Sequence, residues 1–223
     1  MQARLLKRLA RHVVLPLLIF IPPIGLALQE QSEADRAAEL KRHVIETLNV
    51  RPGDKVADVG CGDGFYTLPL ARVLGPTGRV YAEDISDVEL VRLKQHLSEQ
   101  QLANVEVIKG TVDDPQLPPG QMDAVLIVNA YHEMTAPEAM LGHVRASLKP
   151  GGTFVLMEGI WDRHEGQSRD EQVKHHELAP SFAKQEVQRA GFEVIELRDP
   201  FLERTPDEDG RSRWWLIIAR KTK

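Results

Sequence analysis

The chain has 223 residues, of which 42% are hydrophobic, and this is enough for one globular domain with a full core. Its formal net charge is −5, and an acidic surface repels phosphate backbones, which argues against nucleic acid as a partner. Cys61 is the single cysteine, which excludes an internal disulfide and a cysteine-rich metal site.

The first 31 residues differ from the rest. Four basic side chains open the chain, and a run without charge follows from Val13 to Leu28. With small residues near Ala27 for cleavage, this layout is typical of a signal peptide, and it is close to the roughly 20 residues of a membrane helix. We predict a signal peptide or membrane anchor over 1–31, membrane association through 1–28, and an exported or membrane-associated protein. A segment packed on the domain would instead leave the protein cytoplasmic.

Residues 32–223 are predicted to form the domain. Ser32 precedes a helical apolar pattern that we assign to 33–48. Strands and helices then alternate, which predicts a parallel sheet covered on both faces. The predicted strands lie near 55–59, 79–83, 105–109, 123–129 and 153–158, and the helices near 64–74, 86–101, 135–148 and 180–190.

Two further strands are predicted at the end of the chain, over 192–198 and 214–220. The polar segment between them has no helical pattern, so they should pair antiparallel as a hairpin. The expected fold class is therefore α/β, with a Rossmann-like, doubly wound and mostly parallel seven-stranded sheet that ends in an antiparallel hairpin.

A glycine loop follows the first strand of the domain, at Gly60-Cys61-Gly62-Asp63-Gly64. Glycines permit positive φ and the close approach of a ligand, and the next helix starts with unpaired N–H groups. The second strand ends at Glu83-Asp84, where a carboxylate can accept hydrogen bonds from both ribose hydroxyls. The two features together predict a nucleoside-bearing cofactor.

The type of cofactor follows from the spacing of the glycines. A dinucleotide loop has its third glycine one place later, where this chain has Phe65. A bulky residue there disfavours a pyrophosphate and suits a cofactor without phosphate, such as S-adenosylmethionine. A nicotinamide-dependent oxidoreductase remains the alternative enzyme class.

The ordered set of motifs resembles the class I S-adenosylmethionine-dependent methyltransferases over about residues 36 to 220. Besides the glycine loop and Asp84, it includes Gly110-Thr-Val-Asp113, the fourth strand from Met122, and Leu148-Lys-Pro-Gly-Gly152. Many family members carry Asp where this chain has Thr111, so the adenine contact falls to Asp113 or to the Val112 backbone. The resemblance implies a cofactor-binding set of Asp58, Gly60, Cys61, Gly62, Gly64, Asp84, Ile85, Thr111, Val112, Asp113, Asn129 and Tyr131.

The catalytic candidates lie beyond the fourth and fifth strands. His132 is the candidate general base, because the pKa of histidine lies near neutrality. His176 is the candidate from the polar segment after Glu158, which we interpret as a lid or substrate loop. Adjacent His175 and His176 diverge on a helix, so no metal site is predicted, although a grouping of His132, Glu158 and one of them stays open.

These observations predict a methyltransferase that uses S-adenosylmethionine and acts on a small molecule by in-line methyl transfer. Two alternatives stay open: an NAD(P)-dependent oxidoreductase, and a catalytically inactive cofactor-binding module attached to the membrane. Neither the acceptor atom nor the oligomeric state follows from the sequence.

Overall fold

The computed structural model of the chain describes residues 24–203 and 212–222, in which strands and helices alternate. The helices are α1 (Ile24–Leu48), α2 (Thr67–Leu74), α3 (Asp87–Glu99), α4 (Pro137–Ser147), α5 (Arg169–Lys174) and α6 (Pro180–Arg189). The strands are β1 (Lys55–Val59), β2 (Arg79–Asp84), β3 (Val105–Lys109), β4 (Met122–Val128), β5 (Leu148–Trp161), β6 (Phe192–Glu203) and β7 (Ser212–Lys221).

The seven strands form one sheet in the order β3-β2-β1-β4-β5-β7-β6. The first five are parallel, whereas β7 runs antiparallel to both β5 and β6. The predicted fold class and the antiparallel pairing of the last two strands are therefore confirmed. The strand β7 lies between β5 and β6, and its pairing with β5 reaches from Thr153 to Trp161.

Both faces of the sheet are covered, which explains the apolar strands. Along β4, Val125 and Ile127 belong to the core beneath α4 and α6, whereas Ala124 and Leu126 belong to the core beneath α2 and α3. All four side chains are 0% exposed. The side-chain period of a strand places alternate residues in the two layers.

Several elements differ from the prediction in their bounds. Helix α1 begins at Ile24, so Ser32 lies within it, because the chain from Ile24 to Leu48 lacks an internal proline. Strand β5 already begins at Leu148, which pairs with Met122, so the predicted loop 148–152 is part of the strand. The polar segment before α6 contains the short helix α5 and a 3₁₀ turn, Asp162–His164.

The predictions for the N-terminal segment lie mostly outside the described residues, since these start at Ile24. In the part of the chain that the structure describes, no helix is long and apolar enough to cross a membrane.

The sheet order determines where the site lies. Strands β2, β1 and β4 are neighbours, and Val59 at the end of β1 pairs with Glu83 on one side and Ile127 on the other. The carboxyl ends of these parallel strands thus meet at one edge of the sheet. The chain passes to opposite sides of the sheet on leaving β1 and β4, which is where α/β sheets bind ligands.

Candidate cofactor and acceptor site

The glycine loop forms one wall of a cavity of about 330 Å³ at this edge of the sheet. Gly60 and Gly62 both have positive φ, +70° and +54°. A Cβ at Gly60 would lie 2.5 Å from the Cβ of Ala130, so only glycine fits there. A Cβ at Gly62 would meet no atom of the described residues within 4 Å, and since Gly62 lines the cavity, this is space that a ligand can use.

Asp84 lies at the end of β2 and lines the same cavity. Its Oδ2 accepts a hydrogen bond from the N–H of Gly62 at 2.9 Å, and its Oδ1 accepts one from the N–H of Ser86 at 2.7 Å. A carboxylate offers about four acceptor positions, so two of them remain for a ligand. The two bonds also fix the orientation of the carboxylate relative to the glycine loop.

The structure brings seven of the twelve predicted cofactor-binding residues to the cavity wall. They are Gly60, Gly62, Asp84, Ile85, Thr111, Val112 and Asn129. The wall also contains residues that sequence reasoning did not identify, namely Glu83, Ala130, Glu133, Met134, Thr135 and Met140. Most of these follow β4 directly, so their position after the carboxyl end of a strand could have identified them as residues of the site.

Two predicted residues, Asp58 before the glycine loop and Cys61 within it, are buried and do not line the cavity. Asp58 is 2% exposed, and its Oδ2 accepts a hydrogen bond from the hydroxyl of Thr67 at 2.6 Å. Burial raises the pKa of Asp58 to about 6 although the bond from Thr67 opposes this. Cys61 is also buried, and burial raises the pKa of its thiol, so it fills space as a neutral group.

Three other predicted cofactor residues contact protein groups. A Cβ on Gly64 would lie 2.6 Å from Leu93, so this glycine permits packing against α3. The carboxylate of Asp113 accepts a bond from the Thr111 hydroxyl at 2.7 Å. Tyr131 is 0% exposed, and its hydroxyl donates to Glu186 at 2.8 Å in the helical layer. None of the three lines the cavity, and their contact with the cofactor stays a prediction.

Glu83 is the least expected member of the cavity wall, since alternation along β2 predicts that it faces away from Asp84. It is 2% exposed, its Oε2 accepts from the N–H of Gly60 at 3.4 Å, and its Oε1 has no hydrogen-bond partner within the described residues. Burial raises its pKa to about 7, to which Asp84 and Asp58 add, while the bond from Gly60 opposes the shift. The sequence signal for Glu83 was a charged residue inside an otherwise apolar strand, which is uncommon without a functional or structural reason.

The candidate base His132 lies in a 3₁₀ turn after β4 and is 2% exposed. Its Nδ1 lies 2.8 Å from Oε2 of Glu158, which is 0% exposed, and Glu158 Oε1 accepts from the N–H groups of Tyr131 and His132. Burial lowers the pKa of His132, but the hydrogen bond and the charge of Glu158 act against it, and the net pKa is raised.

The second catalytic candidate, His176, comes close to the first. The rings of His132 and His176 lie 5.6 Å apart, nearly perpendicular to each other. Between them lies Glu133, whose Oε1 is 3.6 Å from His132 Nε2 and 3.6 Å from His176 Nδ1. His175, by contrast, stacks on His164 at 4.2 Å, so the two adjacent histidines diverge as predicted.

The segment that carries His176 is held by a buried amide. Gln172 is 0% exposed, and its Nε2 donates to the carbonyl oxygens of His164 and Glu165, while its Oε1 accepts from the N–H of Ala179. Glu177 accepts from His164 and from the N–H of Trp161. Because these bonds join both ends of the connection, His176 projects from a well-supported backbone.

Comparison with known proteins agrees with this geometry. Residues 56–152 match a protein-family model described as a methyltransferase domain. The chain is 34% identical over 119 residues to the ubiquinone/menaquinone biosynthesis C-methyltransferase UbiE of Ectopseudomonas mendocina. That alignment covers 53% of this chain and 46% of the relative, so the chain spans about half the length of the curated relatives it matches.

Solved structures share the fold. A SAM-dependent methyltransferase from Aquifex aeolicus superimposes with a TM-score of 0.65 at 21% identity, covering 82% of this chain and 89% of that one. The phosphoethanolamine N-methyltransferase 2 of Haemonchus contortus, solved with S-adenosylhomocysteine, gives 0.68 at 15% identity, with 83% and 53% covered. The strand order, the glycine loop, Asp84 and these matches lead to one conclusion: residues 56–152 carry a methyltransferase domain, and the fold is that of solved S-adenosylmethionine-dependent methyltransferases.

Proposed function

We propose that the chain transfers the methyl group of S-adenosylmethionine to a small-molecule acceptor, which binds at the Glu133 side of the cavity. The observation that carries this proposal is the shared cavity. One wall has the glycine loop and Asp84, and another has Glu133, Met134 and Thr135, next to both candidate catalytic histidines. A cofactor bound at the glycine loop and Asp84 would then share the cavity with an acceptor bound at Glu133, Met134 and Thr135.

The residues fit the cofactor. The space above Gly62 is open, two acceptor positions of Asp84 are available for the ribose hydroxyls, and Glu83 Oε1 has no partner among residues 24–203 and 212–222. When bound, S-adenosylmethionine supplies a methyl group on a positively charged sulfur. Three carboxyl groups on or beneath the cavity wall, those of Asp58, Glu83 and Asp84, give the protein a field that favours this charge.

The chain's own contribution is alignment and the exclusion of water. Methyl transfer needs the acceptor's lone pair in line with the bond from carbon to sulfur, so positioning supplies much of the rate. Met134 and Met140 give the acceptor side an apolar wall that adapts to ligand shape. The comparisons support neither the NAD(P)-dependent oxidoreductase nor the inactive membrane module.

The acceptor class can be tested directly. The purified chain is incubated with S-adenosylmethionine labelled on the methyl group and a fractionated metabolite extract. Quinone precursors form a separate arm, because the relative from Ectopseudomonas mendocina is named as a quinone-biosynthesis C-methyltransferase. We expect label in a compound of low molecular mass. Label only in macromolecules, or no transfer by protein that binds the cofactor, would contradict the proposal.

We also propose that residues 1–28 direct the protein to the membrane or to export. The four basic side chains before the uncharged run support this. Full-length protein should sediment with membranes or be cleaved near Ala27, whereas a chain that begins at Ser32 should stay in the soluble fraction and bind cofactor. Uncleaved full-length protein in the soluble fraction would refute the proposal.

A further inference from the structure

Three potential metal ligands converge at the acceptor side of the site. His132, Glu133 and His176 each offer one ligand atom, and these three atoms lie within 4.8 Å of one another. Each histidine nitrogen is 3.6 Å from Glu133 Oε1, which is too long for a good hydrogen bond. Ligand atoms about 2.1 Å from one tetrahedral ion are about 3.4 Å apart, so the observed spacing is close to that of a coordination shell.

The hydrogen bonding of His132 leaves the required nitrogen available. Its Nδ1–H donates to Glu158 Oε2 at 2.8 Å, and this places the lone pair of the neutral ring on Nε2. Metal-binding histidines commonly donate their other ring nitrogen to a carboxylate, which sets the tautomer and the ring orientation. Glu158 is itself fixed by two backbone N–H groups, so this support is rigid.

The other two ligands are placed by the backbone. Glu133 follows His132 in the same 3₁₀ turn. His176 has φ of +57°, a left-handed conformation that is uncommon outside glycine, and its N–H donates to the carbonyl of Val173. The bonds of Gln172 hold the adjoining segment. Such a constrained backbone at an exposed histidine needs support from its surroundings and is frequent at functional sites.

We propose that His132, Glu133 and His176 bind a divalent transition-metal ion, of which zinc is the representative. Two imidazoles and one carboxylate are a ligand set of catalytic zinc sites, which keep a position open for water or substrate. Since Nε2 of His132 cannot hold a metal ion and also take a proton from the acceptor, this proposal replaces the general-base role that the sequence predicted. It also departs from the prediction of no metal site.

If the chain catalyses the proposed methyl transfer, the ion would activate the acceptor. An acceptor hydroxyl or thiol that occupies the open position has its pKa lowered, so that its proton passes to water at neutral pH. The lone pair on that oxygen or sulfur then forms the bond to the methyl carbon. The electron pair of the broken carbon–sulfur bond returns to the cofactor sulfur, which becomes a neutral thioether.

Metal binding is tested apart from methyl transfer, by calorimetric titration of the untagged full chain with Zn²⁺ alone. We expect one tight site, weakened at least tenfold in His176→Ala and in Glu133→Gln. Both side chains are largely exposed, so these variants should fold. His175→Ala is the matched control, because that ring stacks on His164 and should leave zinc affinity unchanged. Glu158→Gln should weaken zinc binding about tenfold through loss of ring support.

Absence of zinc binding by the full chain, or equal zinc affinity in the wild type and His176→Ala, would overturn the site. The role is tested by removing metal with a chelator. Methyl transfer should be lost and then restored by Zn²⁺, while S-adenosylmethionine affinity stays unchanged. Transfer that survives metal removal, or cofactor affinity that falls with it, would overturn the role, whereas failure of the zinc-loaded chain to bind S-adenosylmethionine would instead contradict the methyltransferase proposal.

Discussion

The two ends of the site are built in different ways. The cofactor end consists of backbone N–H groups and strand ends, with Gly62 and Asp84 joined by a hydrogen bond of 2.9 Å. The acceptor end consists of side chains from three separate places, with His132 after β4, Glu158 on β5 and His176 after α5. The first arrangement follows from one continuous motif and one strand order, whereas the second exists only once the whole domain has folded.

Their electrostatics differ as well. At the acceptor end the buried carboxylates are paired with rings, Glu158 with His132 and Glu177 with His164. At the cofactor end, one oxygen of Glu83 has no partner in the part of the chain that the structure describes, and burial raises the pKa of Glu83 to about 7. A buried carboxyl group without a cation is costly, and a cationic cofactor compensates for that cost. The cofactor end is thus less stable when empty, while the acceptor end already supplies its buried carboxylates with hydrogen bonds from histidine rings.

The largest expected effect comes from blocking the cofactor end. In Gly62→Val the new side chain enters the open space of the cavity, and S-adenosylmethionine affinity should fall more than 100-fold in an isothermal titration. The matched control is Gly120→Val. Its φ of +67° imposes the same strain and its Cβ also meets nothing within 4 Å, but it does not line the cavity. Equal loss of cofactor affinity in both variants would show that strain alone is responsible.

Asp84 should give the next largest effect. Asp84→Ala removes the acceptors expected for the ribose hydroxyls, together with the bonds to the N–H groups of Gly62 and Ser86. We expect cofactor binding to weaken by about 2–4 kcal/mol, on the scale of hydrogen bonds to a charged group. Asp87→Ala changes an exposed carboxylate three residues away and should have no effect on the titration. Unchanged affinity in Asp84→Ala would refute the ribose assignment.

Much of the fold was predictable because the local pattern of apolar residues marks the same strands and helices that the folded domain contains. Strands β1 and β3 have the predicted bounds, since each apolar run ends at a turn. The short helix α5 was missed because a single apolar residue, Val173, among five polar ones gives no apolar period. The full length of β5 was missed because its last residues gain strand structure from pairing with β7, a contact that local sequence does not reveal.

The cofactor end was predictable for the same reason and the acceptor end was not. Sequence identified His132 and His176 as separate candidates from their positions after β4 and β5, but nothing local indicates that Glu133 lies between them. That meeting depends on the positive φ of His176 and on the bonds of Gln172. The position of Glu83 in the cavity wall was not predicted, because strand alternation indicates the face of a side chain but not whether a long side chain reaches the cavity.

The pH dependence of stability tests whether the buried carboxyl group of Glu83 at the cofactor end has a raised pKa. Its folded pKa of about 7 lies above the ordinary 4.5, so the folded state binds more protons than the unfolded state between these values. The free energy of unfolding therefore falls as pH rises through this window. Relative to the wild type, cofactor-free Glu83→Gln should gain about 2 kcal/mol in stability between pH 5 and pH 8, measured by urea denaturation.

The control for this pH series is Glu106→Gln on β3. That side chain is about half exposed and pairs with Arg79 at the surface, so its removal should leave the pH dependence of stability unchanged. A Glu83→Gln protein whose stability follows the wild-type pH profile would mean that the carboxyl group titrates normally in the folded state.

The smallest effect on stability and cofactor affinity is expected from a substitution of Tyr131. Its hydroxyl donates to Glu186, which Arg169 also contacts at 2.7 Å, and the ring is wholly buried outside the cavity wall. Tyr131→Phe removes one hydrogen bond and keeps the ring, so the free energy of unfolding should fall by about 1 kcal/mol. S-adenosylmethionine affinity should change less than twofold, because the hydroxyl lies in the helical layer. A tenfold loss of cofactor affinity with unchanged stability would instead restore the direct contact that the family resemblance implies, and the cavity wall would then extend to Tyr131.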